Sequence, residues 1–161
     1  MSKSKIVGMM ALIVFTVGIL LVGNAVAGER GKITMREVLC GTAFHEQKVS
    51  DLEDHAIFAY EAKGITFYEK WGPCLVTETG TLDLLKGEGP GKGYSHYTFP
   101  DGSTITMNWE GKIRPGGAEG TWTQIKGTGK FVGIQGEGTW KSYNLSPERW
   151  YDDSEIKYTL P

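Results

Sequence analysis

The chain has 161 residues, with 17 Lys and Arg against 19 Asp and Glu and a formal net charge of −2. That balance excludes a basic nucleic-acid surface. The length suits one domain able to bury a real core.

Residues 1 to 27 read as a secretory signal peptide. Lys3 and Lys5 precede an apolar run from Ile6 to Val22, and Ala25-Val26-Ala27 follows as an AxA cleavage site. The run is longer than a usual signal core, so an uncleaved membrane anchor is the alternative. No cysteine follows the junction, which argues against lipid attachment. Cleavage after Ala27 would leave 15 basic and 19 acidic residues, a net −4, on a domain spanning 28 to 161. The expected location is periplasmic or secreted, with no membrane contact after cleavage. Both cysteines, Cys40 and Cys74, lie in that domain, where an oxidising compartment favours a disulfide between them. Closing that loop would add roughly 3 to 4 kcal/mol in the chain-entropy account.

Along the mature chain, Thr34 to Leu39 fits either a helical turn or a first strand. From Ala43 onward, short runs rich in Thr, Tyr, Trp, Ile and Val alternate with glycine-bearing turns, the pattern of an all-β sandwich or barrel. The spacing predicts strands over 43 to 49, 54 to 62, 65 to 71, 75 to 86, 93 to 99, 103 to 113, 119 to 126, 130 to 143 with a break, and 155 to 160. No long helical period is present. Pro100-Asp101-Gly102 predicts a hairpin, Gly87 to Gly93 a longer glycine-rich connection, and Pro115-Gly116-Gly117 another turn. Gly80-Thr81 through Lys86-Gly87-Glu88-Gly89 is echoed by Gly120-Thr121 through Lys126-Gly127-Thr128-Gly129, as if one strand-and-turn phrase of a meander were reused.

The stretch GTGKFVGIQGEGTW, residues 127 to 140, raises the question of phosphate binding. A dinucleotide fingerprint needs GxGxxG between a strand and a helix. Gly127, Gly129, Gly133, Gly136 and Gly138 do not keep that spacing, Thr139 to Tyr143 reads as strand, and GKS or GKT is absent. These glycines instead suit turns, bulges and corners of a curled sheet.

Together with Tyr94 to Phe99 and the Asp101-Gly102-Ser103 turn, this stretch resembles the late hairpins of the allene oxide cyclase and dirigent-type barrels, which have a similar GTGxFxGxxG phrase. The resemblance covers about residues 75 to 145. It implies a single antiparallel eight-stranded barrel of calycin type with an apolar lumen. It also implies binding or cyclisation of small hydrophobic molecules with neither metal nor organic cofactor. It transfers no catalytic residue, because its motifs are glycine and turn positions.

The residues themselves nominate few chemical groups. Trp71-Gly72-Pro73-Cys74 lacks the first cysteine of a redox CxxC motif, so Cys74 reads as structural. His45, His55 and His96 are not spaced as metal ligands. Strand parity places Ala56, Phe58, Tyr60 and Ala62 on one face, Ile65, Phe67, Glu69 and Trp71 on another, and Ile105, Met107, Trp109, Gly111 and Ile113 on a third. Phe67, Met107, Trp109, Trp122 and Trp140 are the expected lining of the lumen, as core or as ligand pocket. Glu69 interrupts an aromatic face. If inward, burial would raise its pKa and make it a usable acid or base; if outward, it is a solvated charge. Of the adjacent His96 and Tyr97, at most one can face such a site. Asn144-Leu145-Ser146 matches a glycosylation sequon, too common a pattern to weigh.

Three functions fit: a binding barrel for a small apolar ligand, a cofactor-free cyclase or isomerase using the same cavity, and an envelope protein with a filled barrel.

Overall fold

The computed structural model describes residues 28–50 and 52–161; the expected signal peptide lies outside them. Eight strands form a closed antiparallel barrel in simple meander order: β1 Glu29–Lys48, β2 His55–Tyr68, β3 Gly72–Leu85, β4 Gly89–Thr98, β5 Thr104–Arg114, β6 Gly117–Gly127, β7 Gln135–Ser146 and β8 Arg149–Leu160. Closure is made by β8 returning to β1, from Glu29 opposite Leu160 to Cys40 opposite Arg149. The all-β reading and the eight-stranded barrel are therefore what the chain adopts. Among the described residues no helix is long and apolar enough to cross a membrane.

Several boundaries differ from the sequence reading: β7 begins only at Gln135 and β8 already at Arg149, and three further points have a local reason. Thr34 to Leu39 is strand, inside a β1 that runs 20 residues with a bulge between Gly41 and Ala43. The segments 54 to 62 and 65 to 71 merge into the one strand β2, which ends at Tyr68, because Lys63-Gly64 does not turn. Gly64 instead lets β1 come close: a Cβ there would lie 1.9 Å from the Val38 carbonyl oxygen. The expected long connection at Gly87 to Gly93 is a two-residue turn. Lys86 and Gly87 both have positive φ, 55° and 79°, as a tight hairpin with matching twist requires, and Gly89 onward is already β4. The Pro100-Asp101-Gly102 hairpin is present as expected. It is closed by Phe99 N–H to the Ser103 carbonyl, 2.9 Å, and by Asp101 Oδ1 accepting from Ser103 N–H, 3.0 Å.

The unbroken β2 corrects an inward assignment. Side chains alternate between faces with period two, so a strand continuous from Ala56 to Tyr68 keeps its even positions inside and its odd ones outside. Phe67 is consequently 55 % exposed, and Ile65 is exposed beside it. Glu69 lies just beyond the strand, also exposed, accepting a hydrogen bond from Thr34 Oγ1 at 2.9 Å. Neither Phe67 nor Glu69 faces the lumen.

The expected disulfide is not formed. Cys40 is exposed and Cys74 is buried, both as free thiols. Cys40 pairs with Lys63 and Cys74 with Thr66 on opposite sides of β2. Two strand spacings and three residues of offset separate them by about 14 Å, twice the span a bridge tolerates.

One end of the barrel is plugged by aromatic side chains. After β6, a 3₁₀ turn at Gly129–Phe131 drops Phe131 over the opening. Its ring lies 4.9 Å from Trp71 and 4.7 Å from Phe99, with Tyr68 and Tyr158 completing the cluster. Gly129, at φ 58°, starts that turn. The glycine-rich stretch is thus the hinge of a plug, and no phosphate cradle.

Candidate functional site

The inner wall above the plug is not uniformly apolar. Even positions of β2, β3 and β8 and odd positions of β1, β4 and β5 face inward, and they carry three carboxylates: Glu37 on β1, Glu78 on β3 and Asp152 on β8, exposed by 0, 5 and 4 %. The pairing explains their meeting. Glu37 stands directly opposite Asp152 on one side and Thr66 on the other, while Glu78 stands opposite Ser95.

The carboxylates are held differently. Glu78 Oε1 accepts from the Tyr60 hydroxyl at 2.7 Å and Oε2 from Ser95 Oγ at 2.6 Å. Glu37 Oε2 accepts from Thr66 Oγ1 at 3.0 Å. Glu37 Oε1 and Asp152 Oδ1 find no donor among the described residues, although the two side chains stand opposite each other across β1 and β8. Burial pushes all three upward: Glu37 well above the ordinary carboxylate range, reinforced by the charges of Asp152 and Glu78, Glu78 to about 7, and Asp152 to about 6. The described residues include no buried Lys, Arg or His to offset them. Nearer the plug, the Tyr68 and Tyr97 hydroxyls are buried without partners among the described residues.

Above this layer the open end holds a cavity of about 190 Å³. Glu78 and Asp152 border it below; Trp109, Trp122, Trp140, Trp150, Tyr60 and Phe44 are the aromatic part of its wall. Glycines on neighbouring strands make room for the rings. A Cβ at Gly80 would lie 2.5 Å from Trp109 Cζ2, and one at Gly111 would lie 2.4 Å from Trp140 Cζ2. Trp122 is fixed by its Nε1 donating to Ser154 Oγ at 3.0 Å, and Trp140 by its Nε1 donating to the Thr121 carbonyl at 3.2 Å.

Of the residues expected inside, Trp109, Trp122 and Trp140 border this cavity, Met107 is fully buried on the same wall of β5, and Phe67 is outside. Tyr97 points inward and His96 outward, where its Nδ1 lies 3.0 Å from Thr106 Oγ1. His55 pairs with Asp83 at 2.5 Å and His45 is exposed. No group of His, Cys, Asp and Glu among the described residues is arranged to hold a metal ion.

The carboxylates escaped the sequence reading because Glu78 and Asp152 sit among polar neighbours and Glu37 lies in the segment that fits either a helical turn or a strand. Alternation did carry them: Cys74, Val76, Glu78, Gly80 and Leu82 share a face, as do Trp150, Asp152, Ser154, Ile156 and Tyr158.

A closed eight-stranded meander with one plugged end, one open end and a polar floor defines the class to which comparison applies. No family model and no curated protein matches the chain. Among solved structures, it is similar to the pterocarpan synthase dirigent protein GePTS1, with a TM-score of 0.53 and 12 % identity over 88 % of this chain and 94 % of that one. The shared feature is the dirigent-like barrel fold.

Proposed function

We propose that this chain is an exported barrel that binds a small, largely apolar molecule in its open end, with the molecule's polar group directed to Asp152 and Glu78. The observation that supports this reading is the 190 Å³ cavity, aromatic on its walls and carboxylic at its floor. A few polar groups at the base of an apolar pocket are what orients a ligand. An engineered cavity of about 150 Å³ takes up benzene, so the space suits one ring with a short substituent. Export rests on the leader-like residues 1 to 27.

A second reading, a cofactor-free isomerase or cyclase of the allene oxide cyclase type, is favoured by one observation. Glu78 near 7 and Asp152 near 6 can each give or take a proton at neutral pH. The dirigent neighbour is a pterocarpan synthase, which is compatible with substrate chemistry in such a lumen.

The test is uptake of propylbenzene, followed by tryptophan fluorescence, in the wild type and in Ala118→Phe, which fills the cavity from its rim. Saturable quenching that is lost in the variant is expected. Equal response in both proteins would mean that the ring binds elsewhere and would defeat the binding reading.

A further inference from the structure

We propose that the molecule held in the open end is a small organic cation, an ammonium group on a ring-sized apolar body, with its charge among Trp109, Trp140, Trp150 and Tyr60 and above Asp152 and Glu78. This rests on the binding reading above and narrows it to one class of charge.

The first argument is charge balance inside the barrel. Among the described residues, the charged side chains buried in the interior are Glu37, Glu78 and Asp152, all acids. The cations of the described ion pairs, Lys32, Arg36, Lys70, Arg114 and Lys130, are all about half exposed on the outside. A buried carboxylate normally has a cationic or hydrogen-bonding partner. Glu78 has two hydroxyl donors, whereas Asp152, 4 % exposed and bordering the cavity, leaves Oδ1 without one. A cation arriving from the open end supplies the positive charge that the described residues do not place inside the barrel. An anionic ligand would meet like charge, and a purely apolar one would remove the remaining water from the carboxylates without replacing it.

The second argument is the form of the wall. Trp109 and Trp140 are nearly perpendicular, at 87° with centroids 5.9 Å apart, and Tyr60 and Trp150 meet at 83° and 6.0 Å. Tyr60 also lies 6.2 Å from Trp109. Rings set at right angles around a space make the corners of a box. The negative faces of such rings attract a cation within about 6 Å.

The two features are independent and occur at the same place. A barrel that needed only to exclude water could fill this end with Leu and Ile.

The experiment is calorimetric titration of the purified protein at pH 7.5 with three probes of matched size: phenethylammonium, 2-phenylethanol and propylbenzene. The cation is expected to bind about tenfold or more tighter than either neutral compound. Asp152→Asn should remove most of that advantage, bringing phenethylammonium to within about twofold of 2-phenylethanol. Trp150→Ala, at the half-buried rim, should weaken the cation more than it weakens propylbenzene, and it gives an independent readout if the Asp152 variant folds poorly. Neutral probes binding as tightly as phenethylammonium would overturn the cation assignment and leave the binding barrel standing. Binding of none of the three would overturn both.

Discussion

Replacing Glu78 by Gln should flatten the pH dependence of stability by a calculable amount. Glu78 is held at about 7 against an ordinary 4.5, first by burial and then by the charge of Asp152. At about 1.4 kcal/mol per pH unit, that gap corresponds to about 3 kcal/mol. The sign follows from the raised folded-state value. Below pH 4.5 the group is protonated in both folded and unfolded chains, so nothing is lost. Between 4.5 and 7 the unfolded chain releases its proton while the barrel retains it, and stability falls. Above 7 both forms are ionised and the full cost of the buried charge persists. Gln keeps the shape, accepting from one of Tyr60 and Ser95 and donating to the other, whose hydroxyl can accept. Urea denaturation at pH 4.5, 6 and 8 should show the wild type losing about 3 kcal/mol more than the variant across that interval. Parallel losses in the two proteins would refute the reasoning, since the carboxyl would then titrate as if it were in water.

Further outcomes follow from the packing. Gly111→Ala places a Cβ 2.4 Å from Trp140 and 2.6 Å from the Glu119 carbonyl oxygen; it should cost about 1 to 3 kcal/mol and tilt the indole, reducing propylbenzene uptake. Phe131→Ala empties the centre of the plug and should cost about 3 to 5 kcal/mol by denaturation, whereas a loss under 1 kcal/mol would mean the 3₁₀ turn does not seal that end. Native-state thiol labelling should modify Cys40 alone. Cys74, buried with its thiol pushed up to about 12 by desolvation and then by Glu37, should react only after unfolding. If neither reacts in unfolded, unreduced protein from its native compartment, the bridge forms after all.

The barrel was legible because turn chemistry and alternation are local. Pro100-Asp101-Gly102 fixes a hairpin whatever surrounds it, and Ile105, Met107 and Trp109 announce their face by spacing alone. What failed was parity across a glycine. Reading Gly64 as a break restarted the count and turned Phe67 inward, when the glycine only admits the Val38 carbonyl. The carboxyl floor was less legible for a different reason. Glu37, Thr66 and Asp152 are neighbours solely through register, on strands whose pairing joins the two ends of the chain. No window of sequence contains that contact. Glu69, singled out because it interrupts an aromatic run, lies in the turn after β2, where the strand rule no longer applies.

Native mass spectrometry of the protein isolated from its own host tests most directly whether the open end is a ligand site. Wild type should carry a single retained small molecule, of a size fitting about 190 Å³, and Ala118→Phe prepared in the same way should carry none. Bare chain in both preparations, or the same adduct in both, would contradict the account.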